Sequence, residues 1–277
     1  MKARTTIFTI FSACALSMGA QTLTATYIEL ADSADRYMKQ ERWVDAERVI
    51  VRALKHEPAN KSNYLLWSNL GTVRTNLGDY DGALQAFDIG LSSAPKSTML
   101  LSNRARTLIA KGDTKRALED LDNVLTLDST LQWPRKMRGV LRAAKSDYRG
   151  ATSDLEFYAD RFGKDVTVAE TMGDIALRQG DKQLALTNYK EAYDKEKDET
   201  LLLKLLLTAY YAGKLDEYED MLALGIANHP RYGDLYIMRA AIKRGRYQTT
   251  DMEQDLKRAK ELGADERLYK ELWRENK

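Results

Sequence analysis

Trp67-Ser68-Asn69-Leu70-Gly71, followed by Gly78-Asp79-Tyr80, Ala83, Phe87 and Pro95, is the stretch that decides the fold. Trp67 and Leu70 stand three apart, the spacing of an apolar helix stripe. Gly71 lets a second helix approach closely, Gly78 turns the chain, Ala83 is the matching small contact, and Pro95 stops the second helix. Outward from here the pattern repeats. Ala46, Ala83, Ala117, Ala151 and Ala185 follow one another at 37 and then three times at 34 residues. Ala34, Gly71, Ala105, Gly139 and Gly173 keep the same step twelve positions upstream. Small residues at fixed phase on two elements mean two helices crossing closely, once per repeat.

This layout resembles the tetratricopeptide repeat family, most completely over residues 64–97. The resemblance implies an all-α, right-handed superhelical solenoid of about seven helix–turn–helix repeats. They would span 27–60, 64–97, 98–131, 132–165, 166–198, 199–232 and 233–265. Residues 266–277 would form a helix capping the last repeat's open face. Three departures stand out. The fourth repeat has Ser146 at its turn, and the sixth has Tyr218 in the alanine slot of its second helix. The seventh requires about two extra turn residues to keep Leu256 and Ala259 in phase, with Thr250 and Glu253 forming a capping box.

The first 20 residues read differently. Lys2 and Arg4 make a basic start, residues 7–18 an apolar stretch, and Ser17-Met18-Gly19-Ala20 a small-residue end: the layout of a signal peptide. The expectation is an exported protein of a bacterial cell envelope. Cys14, the one cysteine, allows two outcomes. It is discarded with the leader, leaving a periplasmic protein without thiols, or Phe11-Ser12-Ala13-Cys14 is a lipoprotein box and acylated Cys14 anchors the chain to the outer membrane. Cleavage at Ala20 leaves 41 basic and 41 acidic groups, with no electrostatic footprint for nucleic acid. Residues 201–212 are the most apolar segment after the leader, yet they contain Lys204 and fall short of the ~20 residues that a membrane helix needs.

Charge supports the repeat register. Arg104, Arg138 and Arg239 each precede the small residue of a first helix, and Asp120, Asp154 and Asp255 follow 16 residues later. The equivalent positions elsewhere, such as Leu70 and Ala86 or Leu205 and Met221, carry neither charge. Paired presence or absence is what a partly buried ion pair between the two helices requires, because a lone charge there costs several kcal/mol. These six residues are read as structural.

No catalytic, cofactor-binding or metal-ligating set emerges. His56 and His229 lie beside Pro58 and Pro230 at helix ends, where a cation offsets the helix dipole. No phosphate-cradling glycine loop or nucleophile elbow is present. The expectation is a non-catalytic scaffold for a protein or peptide partner, or, if lipidated, a factor assisting barrel, pilus or polysaccharide-uptake assembly. The resemblance places the first helix of each repeat along a concave groove. There it puts Met38, Ser68, Asn103, Arg106 and Trp133, then Glu170, Asp174, Arg178, Leu203, Leu207, Tyr210, Tyr211, Ile237 and Arg244. The first helix of the sixth repeat is apolar on every side, with Leu201, Leu202, Leu203, Leu205, Leu206, Leu207, Tyr210 and Tyr211. Either neighbouring repeats bury it entirely, or Leu203, Leu207, Tyr210 and Tyr211 await a partner.

Overall fold

The local rule of the structure is a left-handed residue closing the first helix of each pair. Glu41, Gly78, Gly112, Ser146, Gly180, Gly213 and Tyr247 all have positive φ. At each, the amide bonds back three residues and the next amide bonds back five, as in Gly78 N–H to the Thr75 carbonyl and Asp79 N–H to that of Arg74. The residue after the turn then starts the second helix. Asp79, Asp113, Asp147 and Asp181 cap it by accepting from the backbone N–H of Gly82, Arg116, Gly150 and Leu184.

The computed structural model describes residues 25–273. The expected leader, 1–20, and Cys14 lie outside the described residues. The helices form pairs: α1 (Ala25–Lys39) with α2 (Trp43–His56), α3 (Asn63–Leu77) with α4 (Tyr80–Ser93), and α5 (Thr98–Lys111) with α6 (Thr114–Leu127). Next come α7 (Gln132–Ala144) and α8 (Tyr148–Phe162), then α9 (Val166–Arg178) with α10 (Lys182–Lys195). α11 (Glu199–Tyr211) precedes a 3₁₀ turn (Leu215–Tyr218) and α12 (Glu219–Asn228). α13 (Gly233–Gly245) pairs with α14 (Thr249–Glu261), and α15 (Glu266–Trp273) follows.

These helices make two compact units that divide within α7, one ending at Arg138 and the other starting at Gly139. In the N-terminal unit, Tyr27, Ile50, Leu66, Leu70 and Phe87 are fully or almost fully buried. A Cβ added to Gly71 would meet the Phe87 ring at 2.5 Å, so the glycine is where α3 and α4 touch. In the C-terminal unit Gly173 meets Tyr189 at 2.7 Å and Gly139 meets Leu155 at 2.8 Å in the same way. α15 closes on the last repeat by burying Leu268, while Tyr269 stays exposed.

Two expectations are corrected. The seventh repeat needs no extra turn residues: Tyr247 holds the same left-handed turn, and Met252 takes the alanine slot half-buried. Nor does the Thr250–Glu253 capping box form, since α14 starts at Thr249 behind Gln248, which makes no side-chain cap. In the sixth repeat the misfit of Tyr218 shows as geometry. The second helix begins as a 3₁₀ turn, and its close contact moves to Gly225, where a Cβ would stand 2.1 Å from Leu202. Leu206 fills the position that is glycine or alanine elsewhere, so the usual crossing has no room.

Candidate functional site

α11 separates its apolar residues cleanly. Leu201, Leu202, Leu205, Leu206 and Ala209 are buried in the core of the C-terminal unit. Leu203, Leu207 and Tyr210 pack against that core but remain partly open, and Tyr211 is 44% exposed. The open residues follow the i, i+4, i+7 spacing of one helical face. Tyr210 and Tyr211 meet edge to face at 5.3 Å. Arg244 donates to the Tyr210 hydroxyl at 3.0 Å and lies 4.4 Å over the Trp273 ring, tying this face to α13 and α15.

Beside this face runs a charged network. Lys204 donates to Glu170 at 2.8 Å and to Asp174 at 3.1 Å, and the Tyr189 hydroxyl donates to Asp174 at 2.6 Å. Burial pulls the Lys204 ammonium down, but the hydrogen bonds to Glu170 and Asp174 outweigh it and hold its pKa above the usual lysine value. Burial, then the bond to Asp174, keeps the Tyr189 phenol un-ionised. A cleft of about 940 Å³ opens here, lined by Val140, Ala143, Tyr148, Asp174, Arg178 and Lys204. Sequence reading missed this network. Its signal was Glu170 and Lys204, opposite charges one 34-residue step apart.

In the N-terminal unit the expected residues also lie on first helices. Asn103 donates to Ser68 at 3.1 Å, and the Arg106 guanidinium lies 3.8 Å over the Trp133 ring. The expected surface is therefore two groups of residues, one in each unit. Met38, Ser68 and Ile237 are not part of it. All three are buried, at 3%, 1% and 0% exposure, because neighbouring helices cover their side of the first helix.

The charge pairs divide likewise. Arg104 grips both Asp120 oxygens at 2.8 and 2.6 Å, and also Asp88 at 2.6 Å. Arg239 grips Asp255 at 2.9 and 2.6 Å, with Lys243 a second partner at 2.8 Å. Arg138 and Asp154 belong to different units. Within its own unit Arg138 donates to Asp122 at 2.7 Å, and Asp154 accepts from Arg142 at 2.8 Å. The bond of each arginine to the preceding repeat, to Asp88 and Asp122, was missed, although both aspartates lie 16 residues upstream. His229 sits between Glu199 at 3.2 Å and the Lys197 carbonyl at 3.3 Å, closing a turn. Among the described residues no His, Cys, Asp and Glu side chains cluster in a metal-holding group, and no helix is long and apolar enough to cross a membrane.

Paired helices with a 34-residue step, glycine contacts and left-handed turns define a class, and comparison with known proteins agrees. Residues 32–98 match the tetratricopeptide repeat model. Over those residues the chain carries tetratricopeptide repeat sequence, and its paired helices have the fold of solved tetratricopeptide repeat proteins. A tetratricopeptide repeat protein 36 homolog of Drosophila pseudoobscura pseudoobscura is 37% identical over 92 residues, 31% of this chain and 49% of that one. The chain spans half or less of the length of the curated relatives it matches. A solved tetratricopeptide repeat protein from Parabacteroides merdae aligns with 91% of this chain and 98% of its own, at 24% identity and a TM-score of 0.63. YrrB, described as having an unusual peptide-binding site, aligns with 67% of this chain and 96% of its own, at 19% identity and a TM-score of 0.58. At these identities the solved structures speak for the fold.

Proposed function

We propose that the chain is a non-catalytic scaffold that captures a protein or peptide partner on the open face of α11. One observation carries this. A helix that is apolar all round leaves Leu203, Leu207, Tyr210 and Tyr211 incompletely covered by its own unit. Tyrosine offers large contact area with few rotors, so a tyrosine pair beside two leucines makes an economical anchor. The peptide site in YrrB's description is consistent with such a role for this fold.

The test is capture of partners from a membrane extract by the mature chain and by Tyr210→Ala/Tyr211→Ala, read by quantitative mass spectrometry. Losing a central aromatic anchor costs about 2 kcal/mol or more, roughly thirtyfold in affinity. The partner should vanish from the variant's pull-down while helical circular dichroism is unchanged. Tyr211→Ala alone guards against a folding artefact, because its side chain is the most open. Undiminished capture by both folded variants would exclude this face as the anchor.

A further inference from the structure

α5 carries two arginines with opposite fates. Arg104 is saturated by Asp88 and Asp120. Arg106, two residues on, is partly buried, yet no carboxylate among the described residues pairs with it and no hydrogen bond engages it. Among the described residues the contact it does make is with the Trp133 ring, 3.8 Å below the guanidinium. Burial, with no compensating anion, lowers its pKa, the reverse of what Asp120 does to Arg104. Removing a guanidinium from water without a partner is unfavourable, and stacking on an indole offsets only part of that.

Stacking also has a geometric consequence. The ring occupies one face of the guanidinium and uses none of its N–H groups, which all lie in the plane and point outward as a fork. Such a fork matches one carboxylate with two parallel hydrogen bonds. The other cations of α5 are already neutralised, Arg104 as above and Lys111 by Asp81, so α5 itself offers a single uncompensated positive charge. Its flanks on the same helical face are Met99 and Ile109, both partly open.

We infer that Arg106, laid flat on Trp133, is a binding site for one acidic side chain within an otherwise apolar segment of a partner protein. It goes beyond the α11 face and stands in the N-terminal unit, so either can fail alone.

The probe is a set of N-acetylated, C-amidated heptapeptides with central Glu, Asp, Gln or Asn and flanks varied over Leu, Ile, Val and Phe. They are titrated into the full chain while the Arg106 Nε–H and Trp133 Nε1–H resonances are followed. The tightest Glu or Asp peptide should bind at least about tenfold better than its amide twin, and the margin should shrink at high salt. Arg106→Gln should erase the margin with circular dichroism unchanged. Arg106→Lys, which keeps charge but loses fork and stack, should keep only part of it. Equal binding of acid and amide peptides, no binding by any member, or a margin that survives Arg106→Gln would overturn the site. Gln peptides with a free C-terminus held as well as blocked Glu peptides would overturn the side-chain assignment.

Discussion

Ser146 shows how much one residue can carry without being the best choice. It holds φ 65° at a turn where Gly78, Gly112 and Gly180 serve in the equivalent positions. A side chain in the left-handed region costs about 1–2 kcal/mol, and glycine returns part of that through its larger unfolded-state entropy. Ser146→Gly should therefore stabilise the chain by about 0.5–1 kcal/mol, measured as a shift in the denaturant midpoint at constant slope. A loss of stability would mean that the Ser146 hydroxyl, which accepts from Tyr148 at 3.3 Å, matters more than the backbone. Tyr247 faces the same conformation at 93% exposure, with no core contact to compensate.

Between elements, the arginine–aspartate pairs act as pins. Arg104 joins α5 to α6 through Asp120, which is 4% exposed, and to α4 through Asp88, which is 52% exposed. Breaking a buried pair costs about 3–5 kcal/mol when the survivor is stranded. Here Arg104 keeps Asp88, so Asp120→Ala should cost about 2 kcal/mol, below that range. Asp88→Ala, at an exposed partner, should cost less than about 1 kcal/mol. Chemical denaturation of both variants checks the order, and equal losses would place the stabilisation in the exposed arm. Within the sixth repeat the same scale explains the 3₁₀ turn. Leu206 and Tyr218 are both too large for the crossing that Gly173 and Ala185 allow one repeat earlier.

For the molecule as a whole, the exported reading rests on residues 1–20 and remains a proposal. Lys2 and Arg4, the apolar stretch and the small-residue end support a mature N-terminus at Ala20 or Gln21. N-terminal sequencing of the protein from its native cells decides among three outcomes. Ala20 or Gln21 supports a soluble envelope scaffold, a lipidated Cys14 the anchored form, and an intact Met1 removes export altogether. The proposed binding residues fall in both units, Tyr210 and Tyr211 in one, Arg106 and Trp133 in the other.

The sequence by itself determined the helices, their pairing and the register of the repeats before the seventh, where sequence reading misplaces the turn at Tyr247. Those depend on local rules: a small residue where two backbones touch, a left-handed residue at each turn, an aspartate cap after it. Such rules repeat every 34 residues, so one well-formed copy teaches the others. Even the non-glycine turn at Ser146 was visible as a gap in the series, and Tyr218 as a misfit. Tertiary structure alone decided which side chains stay open. Ile237 and Leu203 both read as groove residues, yet Ile237 is fully buried and Leu203 is not. It also decided that, among the described residues, Arg104 has two carboxylate partners while Arg106 has an indole and no carboxylate. Spacing within a repeat did reveal Arg104–Asp120 and Arg239–Asp255, but the cover over each open face and the second arm of Arg104 to Asp88 come from side chains one repeat away, about which that spacing is silent.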